Sequence, residues 1–262
     1  MTNNIFQFDR FGRLIARHYS LKTKVWLQSM VIFAGLPILF LLMNVSGLGI
    51  NIDQSDRQSL LELIVIFTFI FAPFAHFYSN NHPKKGLTEV MLPASVLEKY
   101  ITMQFVCIVI APLAALLPYA AIDSLLALIF PNAYGGYALD GAFISDLGFE
   151  SFMILLLFQQ IVFFCNLLFV RRKVLKTGGV FVISMIVIVT LIAAVATVWG
   201  PQIENVDGDN VTFNLSDRAL FEIYPNDNPL IVALQIFRII VVVVTPIALL
   251  IGSYFVMKNK RY

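Results

Sequence analysis

Residues 84–99 read KKGLTEVMLPASVLEK, a polar stretch that begins and ends with lysine between two long apolar runs. A polar segment between two runs of this kind is a connection outside a bilayer, because charged side chains are costly at membrane depth. The side of the membrane on which this stretch lies decides the topology of the rest of the chain.

The composition indicates a protein whose solvent is lipid. Of the 262 residues, 59% are hydrophobic and only 13% are charged, with a mean hydropathy of +0.82. A soluble domain is normally about half apolar and about a quarter charged. We therefore expect an all-α membrane protein that forms one domain over residues 1–262.

Six apolar runs have about the length, roughly 20 residues, that a helix needs to cross a bilayer. A helix satisfies its own backbone groups, which lipid cannot do. Six spans return the chain to its starting side, and the third run could extend to Phe130. The predicted spans are Val25–Val45, Leu60–Tyr78, Tyr100–Ala121, Phe149–Val170, Gly178–Trp199 and Leu230–Met257.

Residues 1–24 precede the first span and show a helical pattern. Phe8 and Phe11 belong to an apolar stripe, and Arg10, Arg13 and Arg17 recur on the opposite side. This pattern predicts an amphipathic helix that lies in the headgroup layer. The alternative is a polar leader to the first span.

Basic residues are concentrated on one side of the predicted membrane. Fifteen of the 18 bases lie in the N-terminus, the connections after spans two and four, and the tail, whereas thirteen of the 16 acids lie in or beside the opposite loops. Cytoplasmic loops carry the excess of lysine and arginine. We therefore expect a multi-pass protein of the cell (inner) membrane with both termini, loop 79–99 and Arg171–Lys176 in the cytoplasm. The predicted outer loops are 44–59, 131–148 and 200–229.

The stretch 84–99 has the pattern of a short helix, a break and a second helix. Gly86 permits a turn, and Pro93 disfavours helix at the residue before it. Ser95 and Glu98 have the spacing of a capping box at the start of span three. One apolar face of the short helix would consist of Leu87, Val90 and Met91. A protruding loop of this shape could bind a partner protein, or it could be an ordinary interhelical loop.

This loop resembles the connection between spans two and three in permease subunits of ABC exporters, the type-two exporter class. The residues that carry the resemblance are Gly86, Glu89, Leu92, Pro93, Ala94, Ser95 and Glu98. The N-terminal helix is similar to the interfacial elbow helix of that family. The resemblance implies a coupling loop that docks on a cytoplasmic ABC ATPase through Gly86, Leu87, Glu89, Val90, Met91, Leu92, Pro93, Ser95 and Glu98. It also implies a second permease subunit, in a homo- or heterodimer.

The chain has no G-x-x-x-x-G-K-[ST] motif and hence no nucleotide site of that type. We therefore expect no enzyme activity and no cofactor in this chain, with ATP and Mg²⁺ bound by the partner ATPase. Its bases follow the membrane surface, which argues against nucleic-acid binding. A different function is also open: a membrane scaffold or sensor that uses outer loop 200–229 for contacts.

Several polar side chains fall inside predicted spans. Gln104 lies in span three, and Gln159 and Asn166 lie seven residues apart, on one face of span four. They could form a polar pathway, although amides more often bond between helices. Arg238 needs a partner if span six starts at Leu230, but we favour an interfacial position for it.

Other candidate sites are weaker. Asp123 and Glu62 lie near the outer ends of their spans and are expected to be solvated. His18, His76 and His82 do not cluster in the sequence, and no carboxylate lies near the last two. We therefore expect no metal site and no catalytic site.

Overall fold

The computed structural model of the protein describes residues 6–45, 53–78, 94–134, 136–140, 148–203 and 229–259. All regular secondary structure in these ranges is helical, which confirms the predicted all-α class. Loop residues 79–93 and most of loop 200–229 lie outside the described residues.

The helices are long, and two of them contain a π-helical turn. In chain order they are α1 (Phe8–Val45), α2 (Gln54–Phe77), α3 (Val96–Ile129, with a π turn at Val106–Ile110), α4 (Pro131–Tyr134), α5 (Phe149–Leu168), α6 (Lys173–Ile203) and α7, which consists of Pro229–Ile239, a π turn at Ile240–Val244 and Thr245–Lys258.

Within the described ranges, five helices are long and apolar enough to cross a membrane. They are α1, α2, α3, α5 and the Gln235–Lys258 part of α7. The chain is therefore suited to a multi-pass membrane protein. The remaining predicted span, Gly178–Trp199, is the fifth in chain order and falls in α6, a helix of 31 residues. The side chains of its last part lie outside the described residues.

Helix α1 contains a break where the sequence predicts the passage from an interfacial helix to a span. Lys22 departs from helical geometry, with φ −118° and ψ 16°. We call residues Phe8–Leu21 the N-terminal segment. Its predicted separation into an apolar and a basic face stays a prediction. Phe8 is 81% exposed, which suits a side chain that faces lipid, whereas Arg10 turns inward to Glu98. The tertiary partner, rather than the periodicity, orients Arg10.

The N-terminal segment crosses one end of the helix bundle. Near its start, the rings of Phe11 and Phe105 in α3 are 5.9 Å apart. Near its end, His18 stacks on Phe77 in α2 at 4.9 Å. We call this the basic end of the bundle, because Lys22, Lys99 and Lys173 lie there, and we call the other end the opposite end.

The core is built around α3. Its half nearer the basic end packs on α1 and α7, and its other half packs on α1 and α2. Helix α5 packs between α2 and α7. Large apolar side chains such as Val31, Leu42 and Ile183 stay more than half exposed, as expected for surfaces that face lipid.

Prolines in the spans predict kinks, and two of them follow a π turn. Val106–Ile110 and Ile240–Val244 each end two residues before a proline, Pro112 or Pro246. A proline has no N–H, and its ring crowds the carbonyl four residues earlier. A wider turn gives that carbonyl room. In α7 the Thr245 hydroxyl also donates to the Ile240 carbonyl at 3.1 Å.

Candidate functional site

The candidate site is the loop between α2 and α3. Its central residues, from Gly86 to Pro93, lie outside the described residues. The two helix ends that carry the loop are described, and each is held by side chains from other helices. These two attachments define how the loop is mounted on the bundle.

The first attachment is at the C-terminal end of α2, and it comes partly from α1. The last carbonyls of a helix lack intrahelical partners and carry partial negative charge, so cations are favourable there. The Lys22 ammonium donates a short hydrogen bond to the His76 carbonyl and a longer one, 3.5 Å, to the Ala75 carbonyl. The break at Lys22 thus coincides with its contact to α2.

The same helix end is also bound by α5 and α6. The Asn166 amide donates to the carbonyls of Pro73 and Phe77 at 3.0 and 3.3 Å. The Lys173 ammonium donates to the Tyr78 carbonyl at 2.6 Å and to the Asn166 side chain at 2.8 Å. The carbonyls of Phe77 and Tyr78 lie at the end of α2, where carbonyls lack intrahelical partners, so this end of the helix depends on these external partners.

Lys173 differs from the sequence-based expectation. The sequence places it among the bases of the cytoplasmic surface, but its side chain is buried, with only 1% of the residue exposed. Arg172 adopts a left-handed conformation, φ 51°, in the turn after α5, and Lys173 is the next residue. Its ammonium is compensated by carbonyl and amide oxygens of the neighbouring helices, which is how a buried cation can be retained.

The second attachment is at the start of α3, where the predicted capping box is confirmed. The Ser95 hydroxyl accepts from the Glu98 N–H at 3.1 Å, and the Glu98 carboxylate accepts from the Ser95 N–H at 2.8 Å. The carboxylate has further partners that the local pattern did not reveal. It accepts from the Gln7 N–H at 2.8 Å and pairs with Arg10 at 3.2 Å, and Glu98 is fully buried.

The N-terminal segment and the residues that flank it therefore contact both ends of the loop. Gln7 and Arg10 bind Glu98, at the end of the loop. Lys22 binds the last turn of α2, where the loop begins. The predicted interfacial residues Arg13 and Arg17 lie between these contacts, exposed and half-buried, respectively. A force on the loop would reach α1 directly through both attachments.

The predicted intramembrane amides form a cluster between helices. Gln104 in α3 and Gln160 in α5 exchange two amide hydrogen bonds, at 3.1 and 3.0 Å, and Gln160 also donates to Gln159. Gln104 donates to the Tyr100 hydroxyl at 3.0 Å, which donates to the Leu250 carbonyl of α7 at 2.7 Å. The cluster thus joins α3, α5 and α7. The expectation of bonding between helices is confirmed for Gln104, whereas Gln159 accepts from Gln160 of its own helix. Asn166 belongs to a different group, the α2 attachment.

We expect Gln104→Leu to destabilise the folded protein by about 1 kcal/mol, a typical value for one polar contact between membrane helices. The substitution leaves the Gln160 amide without its reciprocal partner. Thermal unfolding in detergent, followed by circular dichroism, measures the change. The double variant Gln104→Leu with Gln160→Leu should be less affected than the sum of the singles. Strict additivity of the two effects would contradict the assigned pairing.

Arg238 has a charged partner at the opposite end of the bundle. Its guanidinium donates to Glu150, in the first turn of α5, with Nε at 2.9 Å from Oε1. The two side chains are 19% and 29% exposed. This partial exposure agrees with the favoured interfacial position. Gln235, one turn earlier in α7, is buried.

The expectation that Asp123 is solvated is wrong. Its carboxylate forms a buried ion pair with Arg57 of α2, at 2.6 Å, and both residues are 0% exposed. The carboxylate also accepts from the Ala138 N–H at 2.8 Å. A sequence signal existed, because an arginine and an aspartate inside two apolar helices can lower each other's cost only by pairing. Glu62 is exposed, as expected.

The Arg57 guanidinium also binds the chain that follows α3. It donates to the carbonyls of Tyr134 and Gly136, the latter at 2.8 Å, and lies 3.9 Å from the centre of the Tyr134 ring. Burial raises the pKa of Tyr134 to about 12, so its hydroxyl stays protonated and donates to the Pro37 carbonyl at 2.8 Å. Through these contacts, Arg57, Asp123 and Tyr134 join α1, α2 and α3 at the opposite end of the bundle.

Two histidines that are distant in the sequence meet in space. The rings of His18 and His76 are 5.7 Å apart, and Trp26 stacks on His76 at 4.3 Å. His82 lies outside the described residues. In the part of the chain that is described, no group of three or more metal-ligating side chains comes together.

No family model, curated protein or solved structure matches the chain.

Proposed function

We propose that the chain is the transmembrane permease subunit of an ATP-driven exporter of the ABC type, and that loop 79–99 couples a cytoplasmic ATPase to the spans. The observation that carries the proposal is how this loop is attached to the bundle. Its start is bound by Lys22, α5 and α6, and its end by Gln7 and Arg10, through polar contacts that are mostly buried or partly buried. These contacts support a coupling role because they link both ends of the loop to other helices.

The proposed topology has six spans, with α6 as the fifth, and an N-terminal segment in the cytoplasmic headgroup layer. Both termini and the basic end face the cytoplasm of a cell (inner) membrane. The support is the distribution of bases together with the observation that Lys22, Lys99 and Lys173 lie at one end of the bundle. Two such permease subunits, identical or different, would form the transmembrane pair.

In the proposed mechanism, closure of the ATPases pushes on the loop, and the attachments pass the displacement to the bundle. Glu98 passes it to α3 and Arg10, and the end of α2 passes it to Lys22 and Lys173. The helices would respond at the π turns of α3 and α7, since single π turns inside α-helices are frequently found at functional sites. ATP binding can perform work only if it favours one arrangement over the other.

The test is co-purification of the chain with the P-loop ATPase whose gene adjoins its own. We expect Glu89→Lys and Leu92→Ala each to weaken the association by about 30-fold or more, the effect of removing one interface hot spot. Glu62→Lys is a matched control, because Glu62 is an exposed acid of α2 on the far side of the proposed membrane. Membrane insertion of every variant is verified by its yield in the detergent extract.

Undiminished association and ATPase stimulation in both loop variants would refute the coupling role. The absence of a P-loop ATPase gene beside that of the chain would instead favour the scaffold or sensor that uses loop 200–229.

A further inference from the structure

A lateral groove runs along the outside of the bundle between α1 and α2. Its volume is about 610 Å³, within the range of roughly 300–1,000 Å³ that is usual for small-molecule sites. Residues Val25–Phe33 of α1 and Leu63–His76 of α2 form its walls, and Ala111–Ala115 of α3 contribute to its floor. Several alanines on α2 and α3 leave the space that larger side chains would fill.

The groove is lined to receive an apolar group. Apart from His76 and Trp26, its polar residues are Ser29 and Thr68. Their hydroxyls already donate to carbonyls of their own helices, Ser29 to Trp26 and Thr68 to Ile64, both at 2.8 Å. A hydrophilic solute would find few partners along these walls. Val25 and Phe67 are about half exposed at the margin, so the groove is open to the surrounding lipid.

The dimensions fit one hydrocarbon chain rather than a helix. The wall from Leu63 to His76 is about 20 Å long at 1.5 Å per residue, which exceeds half of the roughly 30 Å hydrocarbon core. A helix of that length, at a diameter of about 10 Å, would need roughly 1,600 Å³. All the empty space between the walls of the groove, counted out to its open margin, is about 1200 Å³, which is smaller than that. A whole helix from a second copy would therefore not fit inside it.

The end of the groove nearer the basic end has polar atoms that need partners. Trp26 Nε1 and His76 Nδ1 are buried without a hydrogen-bond partner among the described residues. The two side chains, which line the groove, are only 3% and 7% exposed. Such atoms are rare in folded proteins and call for an explanation, of which an absent partner is one. Lys22 brings positive charge to the same end, because its ammonium lies on the carbonyls of Ala75 and His76, two residues that line the groove.

We infer that the lateral groove binds one acyl chain of an anionic phospholipid from the leaflet at the basic end. The acyl chain lies along the alanines, and the ester and phosphate oxygens accept from the Trp26–His76 end of the groove. Lys22 supplies charge complementarity to the phosphate. This site does not depend on the proposed export function, since it follows from the groove and from the membrane location of the helices.

The test uses quenching of tryptophan fluorescence by brominated lipid. The chain has two tryptophans, so Trp199→Phe leaves Trp26 as the reporter. The full chain is reconstituted in phosphatidylcholine vesicles that contain a minor fraction of phosphatidylglycerol with brominated acyl chains. We expect Trp26 to be quenched more strongly than by the same fraction of brominated phosphatidylcholine. Lys22→Gln, whose amide can still donate to the Ala75 and His76 carbonyls, should lower this preference about fivefold, the usual effect of one basic residue at an anionic leaflet.

A blocking variant tests whether the groove is the binding site. Ala75→Phe fills the groove from its exposed margin, and we expect it to abolish the preferential quenching. Ala121→Phe is the matched control, because Ala121 is an exposed alanine of α3 outside the groove. Equal quenching by the two lipids, or unchanged quenching in Ala75→Phe, would overturn the assignment. Association of the chain with its ATPase is a separate measurement, so failure here would leave the proposed function standing.

Discussion

Asp123→Asn is expected to destabilise the protein by about 3–5 kcal/mol, the usual result of removing one partner from a buried ion pair. Arg57 would keep its charge at 0% exposure, with only the carbonyls of Tyr134 and Gly136 and an amide oxygen as partners. For a chain of this size, the midpoint of thermal unfolding should fall by about 10 °C. Circular dichroism of the detergent-purified protein measures this shift.

The partly exposed pair Glu150–Arg238 supplies a matched control. Glu150→Gln makes the same chemical change where the two side chains are 29% and 19% exposed, so we expect a loss below about 1 kcal/mol. Combining Asp123→Leu with Arg57→Met should recover part of the loss, since an apolar pair carries no stranded charge. Equal effects of Asp123→Asn and Glu150→Gln would show that the Arg57 site is hydrated.

Glu98→Ala is expected to release the N-terminal segment from the bundle. The carboxylate is buried, accepts from the Ser95 and Gln7 N–H groups and forms an ion pair with Arg10, and a hydrogen bond to a charged group contributes about 1.5–3 kcal/mol. A net loss of about 3 kcal/mol corresponds to roughly 100-fold in the local opening equilibrium. Amide hydrogen exchange over residues 8–21 measures that opening.

Ser95→Ala separates the local cap from the long-range contacts of Glu98. It removes one capping bond, worth about 1 kcal/mol, and leaves the contacts to Gln7 and Arg10 in place. Exchange over residues 8–21 should then change little, while exchange at the start of α3 increases. If Glu98→Ala left exchange in the N-terminal segment unchanged, that segment would be held by its apolar contacts alone.

The sequence predicts the parts of this fold that depend on local physics. Apolar run length predicts the spans, and the five described helices that could cross a membrane overlap five of the six predicted runs. The serine and glutamate of a capping box are three residues apart, so Ser95 and Glu98 can be recognised without tertiary information. The prolines indicate where α3 and α7 deviate, although nothing in the pattern distinguishes a kink from a π turn.

Partners that are distant in the sequence could not be predicted in the same way. Glu98 lies 91 residues from Gln7, and Arg57 lies 66 residues from Asp123. A hydropathy value treats each charged residue separately and therefore predicts Asp123 and Lys173 at the surface. In the fold both are buried, because Arg57 pairs with Asp123 and oxygen atoms of α2 and α5 bind Lys173. The sequence alone identified the candidate loop, but its attachment to the N-terminal segment required the three-dimensional contacts.

The π turn of α3 allows one continuous helix to serve two sets of neighbours. An extra residue in a helix rotates everything beyond it by about 100° relative to regular α-helical register. Before the turn, Tyr100 and Gln104 bond to α7 and α5, and beyond it Tyr119 and Asp123 bond to α2. A helical wheel drawn through all of α3 would therefore misplace one of these two faces. The half of α3 at the basic end therefore contacts α5 and α7, and its other half contacts α2, so one continuous helix links two differently oriented contact surfaces.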